Sequence, residues 1–494
     1  MRIRSIKTAS GKHAIQVVSK RLGTVTVHKH IGTYATDFER LKLIAKAKDF
    51  IKEFSRQVSF DDYLSATPLS DIAVSENKPL FTYQVLSRCY DKIGLGTFPD
   101  QVVKDLIIAR IAHPSSKLEL GEYLHESFDR SYSLKTIYRH IKESLNRDIK
   151  NVFCQALITH ARGEAGEVLE LVFYDVTTLY FESQARGALR DFGFSKDHRA
   201  QEVQIVIGLV VNKQGFPLYF DIFSGKTFEG HTFIDIVRKV QVLLNNPKLV
   251  VVADAAMISR VNIEALDQNK IGFIVGARLG NLPDSLVETI VAKIRNRDAK
   301  SIVAPYLGHR LICQYSHKRA FKDRSDRLKQ IEKAQKALTK PAELTRRYRF
   351  IKAAGKRYSL NTGLIEKAEK LEGIKGYLTN TKLDSTTVID RYHDLWNVEH
   401  SFRITKSDLE ARPVFHFLDE TIKAHMVIVF AGLAITKYIE IATGMTIKRV
   451  LKLCNKVLTH KLTNIKTGET LYTQTTIDNP LTKEQIERLQ TLGH

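Results

Sequence analysis

The chain has 494 residues and is strongly basic, with 76 Lys and Arg against 54 Asp and Glu, a formal net charge of +22. Its 43% hydrophobic and 26% charged residues are a globular balance, which excludes disorder throughout and predicts two to four domains at roughly 100–200 residues each. The charge calls for a polyanionic partner, either nucleic acid or an anionic membrane surface. The four dispersed cysteines, Cys89, Cys154, Cys313 and Cys454, form neither a disulfide framework nor a zinc-thiolate cluster.

The N-terminal MRIRSIKTASGKHAI lacks the apolar stretch of a signal peptide. The first thirty residues alternate apolar and basic, with breaks at Gly11 and Gly23, which predicts a small antiparallel sheet with one basic face. From Asp37 the period becomes helical, and helices are expected to continue to about Glu167. LELVFYDV then reads as a strand, QIVIGLVV and FPLYFDIF as a hairpin around Asn212–Gly215, and TFIDIVRKVQVLL as a helix. KLVVVAD and IGFIVGARL are two further strands, so the region predicts an α/β domain with a mixed sheet. From about Asn281 to Lys375 the regular pattern is lost, and Lys318–Tyr358 alone carries 15 basic residues against 4 acidic ones. A long helix is expected from about Thr387 to Glu410, and a very apolar one from Glu420 to about Ile441. The longest apolar run, Met426–Ile435, is about half of the ~20 residues a membrane span needs. The expected compartment is therefore a reducing cytoplasm, with nucleic acid as the partner.

Three carboxylates stand out. Asp175 ends the apolar run Leu169–Tyr174, and Asp254 ends Leu249–Ala253. A carboxylate at the end of a buried strand is costly unless it is hydrogen-bonded or metal-paired, and ligands gather at strand C-termini of open α/β sheets. The blander alternative is that each Asp caps a turn or the next helix. In RYHDLWNVEHSFRITKSDLEARP, Tyr392, Leu395, Glu399, Phe402, Arg403 and Lys406 have offsets of 0, 3, 7, 10, 11 and 14, which places them on one helical face. An exposed face with a Glu399–Arg403 ion pair would explain the charges, but Leu395, Trp396, Val398 and Phe402 predict a packed helix.

The spacing Tyr392-x2-Leu395-x3-Glu399-x6-Lys406 resembles the Y-x2-R-x3-E-x6-K signature helix of DDE transposases of bacterial insertion sequences. DVTTLYFES, DIFSGKTFEGHTF, VVADAAM and LWNVEHSFRITKSDLEARPVFH are similar to one branch of that family, so the resemblance covers roughly Leu169 to Ile441. It implies a ribonuclease-H-like mixed-sheet catalytic core interrupted by an insertion subdomain, with a small N-terminal β-sheet and a helical region before it. The implied boundaries are 1–166 for DNA-end binding, 167–280 and 376–441 for the two parts of the core, 281–375 for a basic insertion, and 442–494 for a C-terminal tail. Asp175, Asp254 and Glu399 would be the catalytic metal ligands for two Mg²⁺ or Mn²⁺ ions, about 4 Å apart, that cleave and rejoin DNA strands. Tyr392, Arg403 and Lys406 would contact DNA phosphate. Here Leu395 replaces the signature Arg, and Arg403 is the available substitute. The implied partners are terminal inverted repeats, target DNA and a second copy of the chain, in the cytoplasm of a bacterial or archaeal cell and at its nucleoid when bound. A catalytically inactive DNA-binding descendant and a nuclease without strand joining stay open as alternatives.

Two weaker signals complete the reading. Glu229 and His231 in GKTFEGHTF are possible auxiliary site residues, or simply a turn and a helix start. SKLELGEYLHESF and SLKTIYRHIKESL have helix-turn-helix proportions, with Lys135, Arg139, His140 and Lys142 toward DNA, or form a supporting helical bundle. The basic stretch Lys318–Tyr358 is expected to clamp the DNA backbone.

Overall fold

The computed structural model describes residues 2–8, 12–21, 24–34, 37–55, 71–163, 169–182, 184–193, 201–257, 259–339, 348–354, 357–412, 414 and 416–493. The chain divides into two compact units, Met1–Asn77 with His460–Thr473, and Lys78–Thr459 with Gln474–His494.

In the first unit, β1 (Arg2–Lys7), β2 (His13–Arg21) and β3 (Thr24–Tyr34) form the antiparallel sheet that the alternation predicts. Helix α1 (Asp37–Ser55) covers it, and Ile15, Val17 and Ala47 make a small core. Strand β4 (Ile72–Lys78) falls where the sequence pattern predicts only helices. It pairs not with a sequence neighbour but with β15 (Thr459–Asn464), itself paired to β16 (Thr470–Gln474). Ser75 Oγ donates to Lys461 O at 3.0 Å across this sheet, and Lys466 Nζ pairs with Asp71 at 2.8 Å. A seven-residue strand whose partner lies nearly four hundred residues away leaves little local signal.

The second unit begins with five helices, α2 (Leu80–Lys92), α3 (Gln101–Ala112), α4 (Lys117–Phe128), α5 (Leu134–Asn146) and α6 (Ile149–Arg162). Asp100, Ser116 and Ser133 cap α3, α4 and α5 by accepting first-turn N–H groups. Strands β5 (Leu171–Tyr180), β6 (Gln204–Val211) and β7 (Pro217–Ser224) form an antiparallel meander. The β6–β7 turn is set by Asn212 Oδ1, which accepts from Gln214 N and Phe216 N, and by Gly215 at φ 78°. Helix α7 (Glu229–Leu244) leads to β8 (Val250–Ala253), and α8 (Arg260–Gln268) to β9 (Gly272–Ala277), both strands being parallel to β5.

The stretch where the regular sequence pattern fades is built of helices and strands. It holds α9 (Asp284–Ile294), β10 (Ser301–Tyr306), β11 (His309–Tyr315), α10 (His317–Leu338), a β12–β13 hairpin (Ile351–Ala354 and Arg357–Leu360), α11 (Thr362–Lys370) and β14 (Ile374–Thr379). Strands β14, β11 and β10 add antiparallel onto β9, giving one eight-stranded mixed sheet of order β10-β11-β14-β9-β8-β5-β6-β7. Short antiparallel strands that pair across long sequence separations carry less periodic signal than a helix, which is why the sequence pattern fades there.

The single helix expected at 387–410 is broken in two, α12 (Ser385–His393) and α13 (Trp396–Arg403), and α13 runs on into a π-helical turn, Ile404–Asp408. Helix α14 (Asp419–Thr443) follows, then α15 (Ile447–Cys454) and α16 (Pro480–Thr491). Helix α14 exceeds the short apolar run seen in the sequence, and by length and composition it could cross a membrane. However, 72% of its most apolar window is buried inside the fold. It packs against α2, α3, α5, α6 and β7, so its hydrophobicity is that of a core element. Burying each of its Ile, Val, Leu and Phe side chains stabilises the unit by about 1.5–3 kcal/mol.

Candidate functional site

The parallel pairing of β5 and β8 aligns Tyr174 with Ala253, and β8 ends there. Asp175 and Asp254 are the next residues on each chain and so stand side by side where this ladder stops. Strand β5 itself continues past Asp175 to Tyr180, so Asp175 lies within a strand and not at its end. Tyr174 faces α7, its hydroxyl 2.6 Å from Thr232 Oγ1 and its ring against Phe233. Alternation therefore turns Asp175 to the other sheet face, where α13 packs on β5 and β6. Asp175 is half-buried and Asp254 exposed.

Asp254 Oδ1 accepts from its neighbour Ala255 N at 2.7 Å and from the Tyr392 hydroxyl at 2.9 Å. Tyr392 is 6% exposed, and burial, then the Asp254 carboxylate, push its phenol well above the ordinary tyrosine range. Its seat depends on Gly276 of β9, since a Cβ there would lie 2.5 Å from the Tyr392 hydroxyl. Glycine is needed at that position for close approach, at an ordinary backbone angle.

Helix α13 is held by two buried side chains on the β6–β7 turn. Asn397 Nδ2 donates to Lys213 O and Ser401 Oγ to Gly215 O, each at 3.0 Å. Leu395, Val398 and Phe402 are buried as expected, but Trp396 is 56% exposed. The packed-helix expectation fails at Trp396, which lies on the open side of α13 with Glu399 and Arg403. Glu399 and Arg403 are both exposed and form no ion pair with each other, while Lys406 lies half-exposed on the π-helical turn. Leu395, at the signature Arg position, is core.

The structure adds a residue that the sequence does not suggest, Lys375 on β14. Its ammonium lies 4.3 Å from the Tyr392 ring centroid and 5.7 Å from that of Tyr377. Burial and Arg319 hold it below the usual lysine range, while Asp254 and Glu399 pull it back up. A lone lysine 121 positions beyond Asp254 offers no sequence signal, because only the β9–β14 pairing carries it to the acids.

His231 is exposed in the first turn of α7, and the side chain of Glu229 lies outside the described residues. That turn is tied to the one after Asp254 through Asn262 Nδ2, which donates to Gly230 O at 2.7 Å and to Met257 O at 2.9 Å. Among the described residues, no three His, Cys, Asp or Glu side chains stand close enough to hold one metal ion.

The helix-turn-helix expectation meets α4 and α5. Ile137 and Ile141 are core, and His140 is bonded to Asp100 at 2.9 Å, while Lys135, Arg139 and Lys142 are exposed. In the basic stretch, Lys318, Lys322, Arg324, Lys329 and Lys333 of α10 are exposed. Arg327, in contrast, is 9% exposed and bound to Glu372 at 2.7 Å and Glu369 at 3.3 Å. Residues 340–347 of that stretch lie outside the described residues.

Against known proteins, the family model described as "Transposase DDE domain" matches residues 166–433, just over half the chain. None of the curated proteins compared with the chain matches it. Among solved structures it is similar to a piggyBac transposase in a synaptic complex with hairpin DNA, at 9% identity and a TM-score of 0.41 over 77% of this chain and 79% of that one. The match to residues 166–433 spans every element that carries Asp175, Asp254 and Glu399, and the chain belongs to the family of transposases with a DDE domain.

Proposed function

We propose that this transposase cleaves DNA strands at the ends of an insertion sequence and joins the freed 3′ ends to target DNA, with Asp175, Asp254 and Glu399 as its metal-binding carboxylates. The observation that carries the reading is the side-by-side placement of Asp175 and Asp254 beyond the β5–β8 ladder, on the sheet face that α13 covers. We read β7-β6-β5-β8-β9 as the ribonuclease-H-like core, and residues 281–375 as an insertion that extends its edge.

Members of this family normally use divalent metal ions. The donor set fits: three hard carboxylates suit Mg²⁺ or Mn²⁺ better than zinc, and two of them already neighbour each other on adjacent strands. Glu399 on its helix would close on that pair once a cation gathers the three. When bound, such ions activate the attacking oxygen and stabilise the leaving one.

The chain's own side chains prepare the site. The Tyr392 hydroxyl fixes the Asp254 carboxylate in one orientation by donating to Oδ1. Lys375 offsets the repulsion between the acids and an approaching phosphodiester. Arg403 and Lys406, beyond Glu399, hold the strand by its phosphates, and the exposed cations of α10 add sequence-independent affinity. A homodimer pairing two element ends, at the nucleoid of a bacterial or archaeal cytoplasm, belongs to the same reading.

The test is a plasmid carrying the DNA that flanks the gene, incubated with the purified chain. Mg²⁺-dependent nicks at the element ends followed by joined products support the proposal. Nicks without joining would identify a nuclease, and binding without nicks an inactive descendant.

A further inference from the structure

Beneath the start of α4 lies a second polar site, away from the carboxylates. A cavity of about 580 Å³, within the roughly 300–1,000 Å³ typical of ligand sites, lies between the end of α3, the start of α4 and the segment leading into α14. Its lining holds the basic groups Arg110, Lys117, Arg412, His416 and His425 and two acids, Glu119 and Glu410.

Two of these cations are more than nine-tenths buried, Arg110 and Lys117 each at 5% exposure. Among the described residues, the buried Arg110 Nε–H has no acceptor. Lys117 Nζ lies 2.7 Å from an imidazole nitrogen, His416 Nε2. His425 Nε2 donates to Ala411 O at 3.3 Å, and among the described residues its buried Nδ1 has no partner. The acids offset the cluster only in part: Glu410 is exposed and acts favourably on Arg110 across the cavity, and Glu119 is turned to His113 at 3.1 Å. The 12-residue helix α4 begins at the cavity, and its first-turn amides add a positive dipole end, with Glu119 N satisfied by Ser116 Oγ. At the rim, Leu118, Leu134 and Tyr138 are exposed.

Buried cations with an orphaned guanidinium N–H, at a helix start, form a receptor for a compact multivalent oxyanion. We propose that this cavity binds a phosphate group of a DNA strand, Arg110 and Lys117 taking its oxygens and Tyr138 lying against the adjoining sugar. The choice of DNA as the source rests on the transposase reading above. The presence of the pocket does not.

A bound dianion would also change Lys117. Burial and Arg110 lower this amine to about 7, and burial, then Lys117, lowers His416 to about 3, so an anion beside Lys117 draws a proton onto it at alkaline pH while His416 stays neutral.

The experiment uses the full chain, with inorganic phosphate and a short single-stranded oligonucleotide as separate probes. Calorimetry at pH 8.5 in buffers of different ionisation enthalpy should show proton uptake when phosphate binds to the unaltered protein. Lys117→Met should abolish that uptake, and Arg110→Met should weaken phosphate binding at least tenfold. Both variants should weaken oligonucleotide binding several-fold, while Asp175→Asn leaves phosphate binding and its proton uptake unchanged. Phosphate binding without proton uptake, or unaffected by both variants, overturns the site. Phosphate binding lost in the variants while oligonucleotide affinity is unchanged overturns the assignment to DNA in favour of a free phosphate. A protein that binds phosphate as described but no DNA at all would sink the transposase reading and leave the pocket standing.

Discussion

The carboxylates beside the β5–β8 ladder and the basic groups beneath α4 are both polar clusters of the second unit, yet they sit in opposite surroundings. Asp254 is open to solvent and steadied by one phenol and its own neighbour's N–H. Arg110 and Lys117 are enclosed by helices, and one N–H of Arg110 has no acceptor among the described residues. An exposed acid at a strand end costs the fold little and remains available for chemistry. A buried, incompletely partnered cation costs stability in every molecule, whether or not a ligand is present. The first cluster is therefore expected to show itself in activity alone, and the second in stability and pH dependence as well.

The comparison breaks first at the acids. Asp254→Asn should lower strand cleavage by roughly 100-fold or more, beyond the 10–100-fold that loss of an outer partner produces, with thermal stability and DNA binding unchanged. A fall in the melting midpoint comparable to that of a core substitution would instead make Asp254 a turn cap. Gly276→Ala tests the packing behind the site. Pushing Tyr392 aside should cost about 1–3 kcal/mol in denaturant unfolding, the usual range for overpacking, and should reduce cleavage. Tyr392→Phe, which keeps the ring and removes only the hydrogen bond to Asp254, should lower cleavage about tenfold at little cost in stability. Equal stability losses in the two variants would mean that the hydroxyl, and not the close approach at Gly276, holds the helix.

The cation pocket is sharpened by pH. Lys117 titrates near 7 when folded and at the ordinary lysine value of 10.5 when unfolded, so between those values the unfolded chain binds more protons. Stability conferred at this residue therefore rises with pH across that window, by at most about 1.4 kcal/mol per pH unit for one proton, and is flat below it. Lys117→Met should flatten the slope in urea titrations from pH 7 to 10. A slope identical in the two proteins would show that the amine is solvated. The smallest effect belongs to α10, where Lys318, Lys322, Lys329 and Lys333 are to be neutralised together. The slope of log binding constant against log salt should then become shallower by about one for each DNA phosphate that no longer meets a cation. An unchanged slope would remove the clamp from the reading.

Much of the sheet is legible in the sequence because its strands are local patterns. Leu171–Tyr174 and Val250–Ala253 are continuous apolar runs closed by an acid, and the Asn212–Gly215 turn announces its hairpin. Residues 387–410 are less faithful to their pattern. A constant 3.6-residue period does not survive the helix break and the π-helical turn, and Trp396 is exposed. Lys375 and Gly276 are invisible in the sequence, since their meaning lies in what stands opposite them after β9 and β14 pair.

The sequence by itself determined the elements whose hydrophobic period is complete within a few turns: the small N-terminal sheet, the strands carrying Asp175 and Asp254, and the apolar α14. It also carried, in Tyr392, Glu399 and Lys406, the spacing by which the family is recognised. Only the tertiary structure decided that β4 pairs with β15, that β14 brings Lys375 toward the acids, and that Arg110 and Lys117 meet beneath α4. Those decisions depend on long-range strand register and helix packing, and neither is encoded in any single stretch of chain.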